Sequence, residues 1–238
     1  MKLDILAFGA HPDDVELGCS ATLAKEISNG RKVGIADLTR GELGTRGTAA
    51  IRDEEAKAAA EILGVEVRHN LGFRDGFFQN TEEHQMEIIK LLRKYQPEIV
   101  FCNAVEDRHI DHGKGASLVA DACFLSGLRK IETRLDGGDQ QAWRPKAVYH
   151  YIQWKNLQPD FVIDVTGFID KKMEAVKAYS SQFYSPKSNE PVTPISTDNF
   201  LESIVYRARD LGRLIGSEYG EGFTANRLIA VDSVFDLK

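Results

Sequence analysis

Leu3-Asp4-Ile5-Leu6-Ala7-Phe8-Gly9-Ala10-His11-Pro12-Asp13-Asp14 decides the reading of this chain. An apolar run of strand length ends directly on one imidazole and two carboxylates. A second apolar run, Ile99-Val100-Phe101-Cys102, leads into Asp107-Arg108-His109-Ile110-Asp111-His112. Strand-like residues 3–8, 33–38, 65–69 and 98–102 alternate with helix-like residues 16–29, Ala49–Leu63, Glu82–Tyr95 and 112–125. That alternation predicts an α/β fold, a mostly parallel sheet with helices on both faces, because parallel neighbours need crossover connections. Ligands of such sheets sit beyond the carboxyl ends of the strands, where both clusters fall.

The rest of the chain is less regular. Residues 39–48 form a glycine-rich loop carrying Arg40, Glu42 and Arg46, and 71–78 read as a loop. Residues 134–141 read as a turn around Gly137-Gly138. Strands are expected at 147–153 and 161–165, helices at 167–179 and 198–212, and a last strand ending the stretch 220–232. Residues 185–197, rich in Pro and Ser, are expected to be an exposed loop. The 238 residues are read as one domain: 1–130 a doubly wound core carrying the site, 131–238 an extension completing sheet and substrate pocket.

Composition narrows the class. A chain 42% hydrophobic and 28% charged has ample material for a globular core. Its net charge of −6 argues against a nucleic-acid partner, whose phosphates call for a basic face. Cys19, Cys102 and Cys123 form no CxxC and are expected to be buried, reduced thiols of a reducing compartment. No run approaches a membrane span or a secretory leader, so no membrane partner and a cytoplasmic location are expected.

The clusters carry the chemistry. With a helix starting just after Gly9, His11 and Asp14 are three apart, share a face and can reach one ion. Asp13 then points elsewhere, free to act on whatever occupies the ion's open position. The plainer reading is that both carboxylates favour a helix N-terminus electrostatically. His109 and His112 are also three apart, and there the plainer reading makes Asp111 an N-cap and both rings solvated. Two such clusters at strand ends of one parallel sheet favour a metal site with an open coordination position, and with it a metal-dependent hydrolase.

Ala10-His11-Pro12-Asp13-Asp14-x-Glu16 and His109-x-Asp111-His112 resemble the two motifs of the LmbE-like/PIG-L N-acetylglucosamine deacetylases. Thr39-Arg40-Gly41-Glu42-x-Gly44, Arg52 with Glu55, Ala60-Glu61-x-Leu63-Gly64 and Gly72-Phe73-x-Asp75-Gly76 match the same pattern. Ser181-Gln182-Phe183 and Tyr219-Gly220-Glu221-Gly222-Phe223 resemble the BshB-type branch of bacillithiol biosynthesis. The resemblance implies a Rossmann-like fold, one Zn2+ per chain held by His11, Asp14 and His112, and Asp13 as general base. It places His109 across the open position, as oxyanion stabiliser or as acid toward the amine, with Asp111 fixing its ring and raising its pKa. Arg52 becomes a candidate for positioning substrate, against a plain i,i+3 pair with Glu55. Arg40, Glu42 and Arg108 become candidates for holding sugar hydroxyls or an anionic aglycone.

By the same resemblance the substrate is an N-acetylglucosaminide, foremost N-acetylglucosaminyl malate, and the chain is a homo-oligomer, a hexamer by analogy. Another GlcNAc conjugate or a chito-oligosaccharide is the alternative substrate. An iron(II) facial-triad oxygenase shares the donor set, but a water-activating carboxylate beside the ligands fits hydrolysis better. A non-metal nucleotide-binding module lacks its fingerprint, since the first turn is not G-x-G-x-x-G. His69, His84 and His150 are read as isolated, and Trp143, Trp154, Tyr179, Phe183 and Tyr184 as packing residues or a pocket wall.

Overall fold

The computed structural model describes residues 1–183 and 189–236, among which nine strands and six helices occur. The strands are β1 (Ile5–Gly9), β2 (Val33–Thr39), β3 (Val67–Phe73), β4 (Ile99–Cys102), β5 (Arg134–Leu135), β6 (Gly138–Asp139), β7 (Ala147–Tyr151), β8 (Phe161–Asp164) and β9 (Gly220–Ala225). The helices are α1 (Asp14–Ser28), α2 (Ala49–Leu63), α3 (Glu82–Tyr95), α4 (Ile110–Leu125), α5 (Ile169–Lys177) and α6 (Asp198–Leu214). Seven strands make one sheet in the order β3-β2-β1-β4-β7-β9-β8. β3, β2, β1, β4 and β7 run parallel, and β9 runs antiparallel to both β7 and β8.

Successive residues of β1 serve opposite faces, as a strand's two-residue period requires. Leu6 and Phe8 join Ile88, Leu92 and Val119 of α3 and α4. Ile5 and Ala7 join Val15 and Leu23 of α1, Tyr151 of β7 and Ala175 of α5. Every residue of β1 and β2 is buried, which accounts for their continuous apolar runs. Gly18 of α1 lies where any Cβ would collide with the Tyr151 ring, whose hydroxyl donates to the Phe8 carbonyl at 2.8 Å.

The chain winds outward from β1 to β3, then returns to β4 on the other side of β1. Its topological switch point therefore lies between β1 and β4, and ligand crevices open at such points. Residues 10–14 and 103–112 leave the carboxyl ends of those two strands.

Several sequence expectations change here. β3 continues to Phe73, so 71–73 are strand rather than loop; an irregularity in its pairing with β2 between Asp37 and Thr39 lets it run on. Residues 134–141 fold as the hairpin β5–β6, with Asp136 and Gly137 both at positive φ. The last strand opens the stretch 220–232 rather than ending it. Of the expected loop 185–197 and the Tyr179, Phe183 and Tyr184 group, residues 185–188 and Tyr184 lie outside the described residues. All three cysteines are buried and unpaired, and no described helix is long and apolar enough to cross a membrane.

Beneath the site, the Arg68 guanidinium from β3 is clamped between Glu16 of α1 (2.5 Å) and Asp37 of β2 (2.8 Å). The Arg68 side chain is only 8% exposed, and Tyr179 adds a hydroxyl donor to Glu16 at 3.2 Å. Removing one partner of such a cluster strands the opposite charges in the interior. Arg68→Leu is expected to lower the unfolding free energy by about 3–5 kcal/mol in urea titration. A loss under about 1 kcal/mol would show that the cluster carries no such weight.

Candidate metal centre

His11 and Asp14 meet through a turn, not along a helix. α1 begins only at Asp14, and its cap residue, Asp13, stands at φ 115 in the left-handed region. The expectation that a helix starts just after Gly9 is corrected accordingly: the turn folds back so that the His11 backbone N–H donates to Asp14 Oδ2 at 2.9 Å. This geometry places His11 Nδ1 3.5 Å from Asp14 Oδ2. From the other strand end, His112 brings Nε2 to 3.0 Å from Asp14 Oδ1. One carboxylate thus stands between two imidazoles delivered by segments nearly a hundred residues apart.

Each imidazole is held from behind. His11 Nε2 lies 3.1 Å from Asp75 Oδ1 and 3.5 Å from Asp111 Oδ2. His112 Nδ1 lies 2.5 Å from Asp107 Oδ2. A carboxylate on the far ring nitrogen is the usual support of a metal-ligating histidine, fixing tautomer and ring orientation. Asp75 and Asp107 were given no role by sequence reasoning. Their signal was present, Asp107 five residues before His112 and Asp75 within Gly72-Phe73-x-Asp75-Gly76, but nothing local tells which histidine a distant carboxylate will meet.

Electrostatics at the cluster favours positive charge. Burial alone would lower the His11 pKa, yet contacts with Asp111, Asp14 and Asp75 hold it well above its ordinary value. His112, likewise opposed by burial, is lifted to about 9 by the Asp14 charge and by Asp107. Burial works against ionisation of Asp14, but His112 and His11 hold its pKa well below the usual carboxylate range. Burial also pushes Asp13 up, against the pull of Arg52, to about 7.

Arg52 is not a surface partner of Glu55; it is buried and lines the cleft. Its Nη2 donates to Asp13 Oδ2 at 3.0 Å and to the Pro12 carbonyl, and Nη1 reaches the Gly41 carbonyl at 3.3 Å. Gly41, at φ +62, leaves room for that guanidinium where any Cβ would overlap it. Glu55 turns instead to Ser180 and Ser181. Arg40 pairs on the surface with Asp53, and Glu42 accepts the Asp75 backbone N–H at 2.8 Å; neither lines the cleft. Arg108 does line it, its guanidinium stacked 4.6 Å above the Trp154 ring.

His109 caps α4, its Nδ1 accepting the Asp111 backbone N–H at 3.3 Å. The expectation that Asp111 fixes that ring with its carboxylate and leaves its pKa raised is corrected, although the Asp111 charge does pull that pKa upward. The Asp111 carboxylate is taken up by Lys114, the Gly76 N–H and His11. Burial and the neighbouring His11 and His112 lower the His109 pKa. A nitrogen from each of His11, His109 and His112 lies within 4.8 Å of the others, and these rings edge a cleft of about 480 Å³. Arg46, Arg207 and Trp154 stand on its wall, whereas Trp143 packs elsewhere, donating to the Pro97 carbonyl. One buried and two half-buried imidazoles, a carboxylate already ionised, and further carboxylates in excess of the nearby Arg52 and Lys114 suit a divalent cation.

Comparison with known proteins bears on the chemistry of this site. The family model PIG-L, GlcNAc-PI de-N-acetylase, matches residues 6–123, the segment that contains both clusters. Diacetylchitobiose deacetylase from Thermococcus kodakarensis is 29% identical over 230 residues, spanning 92% of this chain and 81% of that protein. The protein named probable N-acetyl-alpha-D-glucosaminyl L-malate deacetylase 2 from Bacillus anthracis is 26% identical over 201 residues, 75% of this chain and 81% of its own. Among solved structures, a conserved protein from Thermus thermophilus is 35% identical, with a TM-score of 0.84 over 97% of this chain and 98% of its own.

Without a cation, the raised groups bind protons that the unfolded chain has lost. His112 contributes stability that is complete below pH 6.5 and gone once pH passes about 9. Asp13 adds a penalty that grows as pH rises from 3.8 through about 7, so both effects have the same sign. Chelator-treated protein should therefore lose on the order of 5 °C in Tm between pH 6.5 and 9 in a calorimetric scan. Zinc-loaded protein should lose little, because the cation displaces those protons. A Tm that rises with pH in the chelated protein would contradict this electrostatic picture.

Proposed function

Because the chain belongs to the PIG-L family of de-N-acetylases, we propose that it hydrolyses the N-acetyl group of an N-acetylglucosaminide. The products are acetate and a free amine. The observation that carries this reading is the Asp14 carboxylate between His11 and His112 with a second, unshared carboxylate, Asp13, beside it. His11, Asp14 and His112 would hold one zinc ion. When bound, that ion supplies Lewis acidity, acidifying water and polarising a carbonyl oxygen.

Asp13 is the general base. Burial brings its pKa to about 7, the range in which a carboxylate both accepts and returns a proton readily. Arg52 holds it in place and favours its anionic form. Asp13 takes a proton from the attacking water and passes one to the departing amine nitrogen, so a C–O bond forms and the amide C–N bond breaks. His109 accepts a backbone N–H at Nδ1, so its neutral ring carries the proton on Nε2. A neutral donor of this kind fits stabilisation of the tetrahedral oxyanion better than proton delivery.

N-acetylglucosaminyl malate is the favoured substrate. Arg108 on the cleft wall, stacked on Trp154, offers a carboxylated aglycone a cation in an otherwise acidic protein. Diacetylchitobiose is the second reading, favoured by the longer alignment with the Thermococcus enzyme. An amine-release assay with zinc-loaded protein on both compounds separates them, and higher kcat/KM on the disaccharide would reverse the preference. In the same assay Asp13→Ala should retain zinc but lose about 10²–10⁴-fold in kcat. Near wild-type turnover in that variant would remove Asp13 from the reaction.

A further inference from the structure

Behind Asp14 lie two buried amides that belong neither to the ligand set nor to the cleft's charged groups. Asn103, the residue that follows β4, is fully buried, and Gln153, just past β7, is 6% exposed. Asn103 Nδ2 donates to Asp14 Oδ2 at 2.9 Å, and Gln153 Nε2 donates to Asp14 Oδ1 at 2.8 Å. The amides are not free to turn over. Asn103 Oδ1 is claimed by the Ala10 N–H at 2.8 Å. Gln153 Oε1 is claimed by the Ala104 N–H at 3.2 Å and by Asn103 Nδ2 at 3.0 Å. A flip of either would set oxygen against oxygen at Asp14, so the backbone donors that follow β1 and β4 dictate which end of each amide faces the carboxylate.

The consequences for Asp14 follow by counting lone pairs. Oδ2 receives the His11 backbone N–H at 2.9 Å and Asn103 Nδ2, which takes up both its lone pairs and leaves His11 Nδ1 3.5 Å off. Among the described residues Oδ1 receives only Gln153 Nε2, and its remaining lone pair is on offer to His112 Nε2, 3.0 Å away. The Gln153 amide nitrogen also approaches His112 Nε2 at 3.4 Å, so one side chain spans groups from both strand ends.

We propose that Asn103 and Gln153 are positioning residues that lock the Asp14 carboxylate so that a single oxygen, Oδ1, is presented to the cation. They donate hydrogen bonds to that ligand and prevent its rotation. This rests on the reading that Asp14 holds the cation. Outer partners of this kind typically change metal affinity by about 10–100-fold.

The test is a zinc titration of metal-free protein against a chromophoric chelator, which reads binding rather than turnover. Gln153→Met keeps the volume and removes the donor; Asn103→Ala removes the other. Each should weaken zinc binding about 10–100-fold. In an Asp14→Ala background, adding Gln153→Met should change affinity by less than about twofold, because the group it acts through is gone. Should Asn103→Ala fail to fold, the Gln153→Met cycle decides alone. Wild-type affinity in Gln153→Met, or the same loss with and without Asp14, overturns the proposal. Wild-type affinity in Asp14→Ala instead overturns the ligand assignment beneath it.

Discussion

The structure depends on a local imbalance of charge. Asp13, Asp14, Asp75, Asp107 and Asp111 converge on His11 and His112 at the mouth of the sheet, with Arg52 and Lys114 as the nearby permanent cations. Concentrated carboxylate charge away from water is costly unless a positive partner matches it. In the cation-free chain the imidazoles provide that match by holding protons, and under the proposed function a divalent ion would replace those protons and free the rings to act as ligands. On that reading metal binding and local stability would be one electrostatic event.

The fold's task is to bring the groups together. β1 and β4 are neighbours in the sheet although nearly a hundred residues separate them in the chain, and the winding direction reverses between them. Their carboxyl ends therefore discharge two loops into one crevice. β2 adds the loop that seats Arg52 through Gly41, and β3 leads to the turn that carries Asp75. β7 delivers Gln153 and Trp154. Catalytic geometry here is assembled from strand ends on a rigid sheet, which is what a reaction sensitive to small misplacements needs.

Much of this was legible in the chain. The bounds of α2 and α3 are the expected ones, and each helix opens on a threonine, Thr48 or Thr81, whose side chain accepts the N–H of Ile51 or His84. The two clusters were visible because their strands are largely buried on both faces and read as unbroken apolar runs. What stayed hidden was long-range or conformational. The positive φ of Asp13, which turns His11 and Asp14 toward each other without a helix, has no sequence signature at a non-glycine residue. Arg52 sits on a helix with Glu55 one turn away, so local spacing favours the wrong partner; only tertiary packing takes it to Asp13. Arg40 and Glu42 lie on the loop that frames the site, yet their side chains serve Asp53 and the Asp75 backbone.

Chemistry and fold meet at the division between Asp14 and Asp13. Adjacent in sequence, they differ in surroundings: one stands between two imidazoles, the other under a single guanidinium and at the edge of the cleft. In the proposed function that difference makes one carboxylate the ligand and its neighbour the base. It is tested most directly by anomalous diffraction at the zinc edge from crystals of the zinc-loaded protein. The expected result is one peak per chain, within bonding distance of His11, Asp14 and His112 and not of Asp13. A peak that draws in Asp13, or none among these side chains, contradicts it.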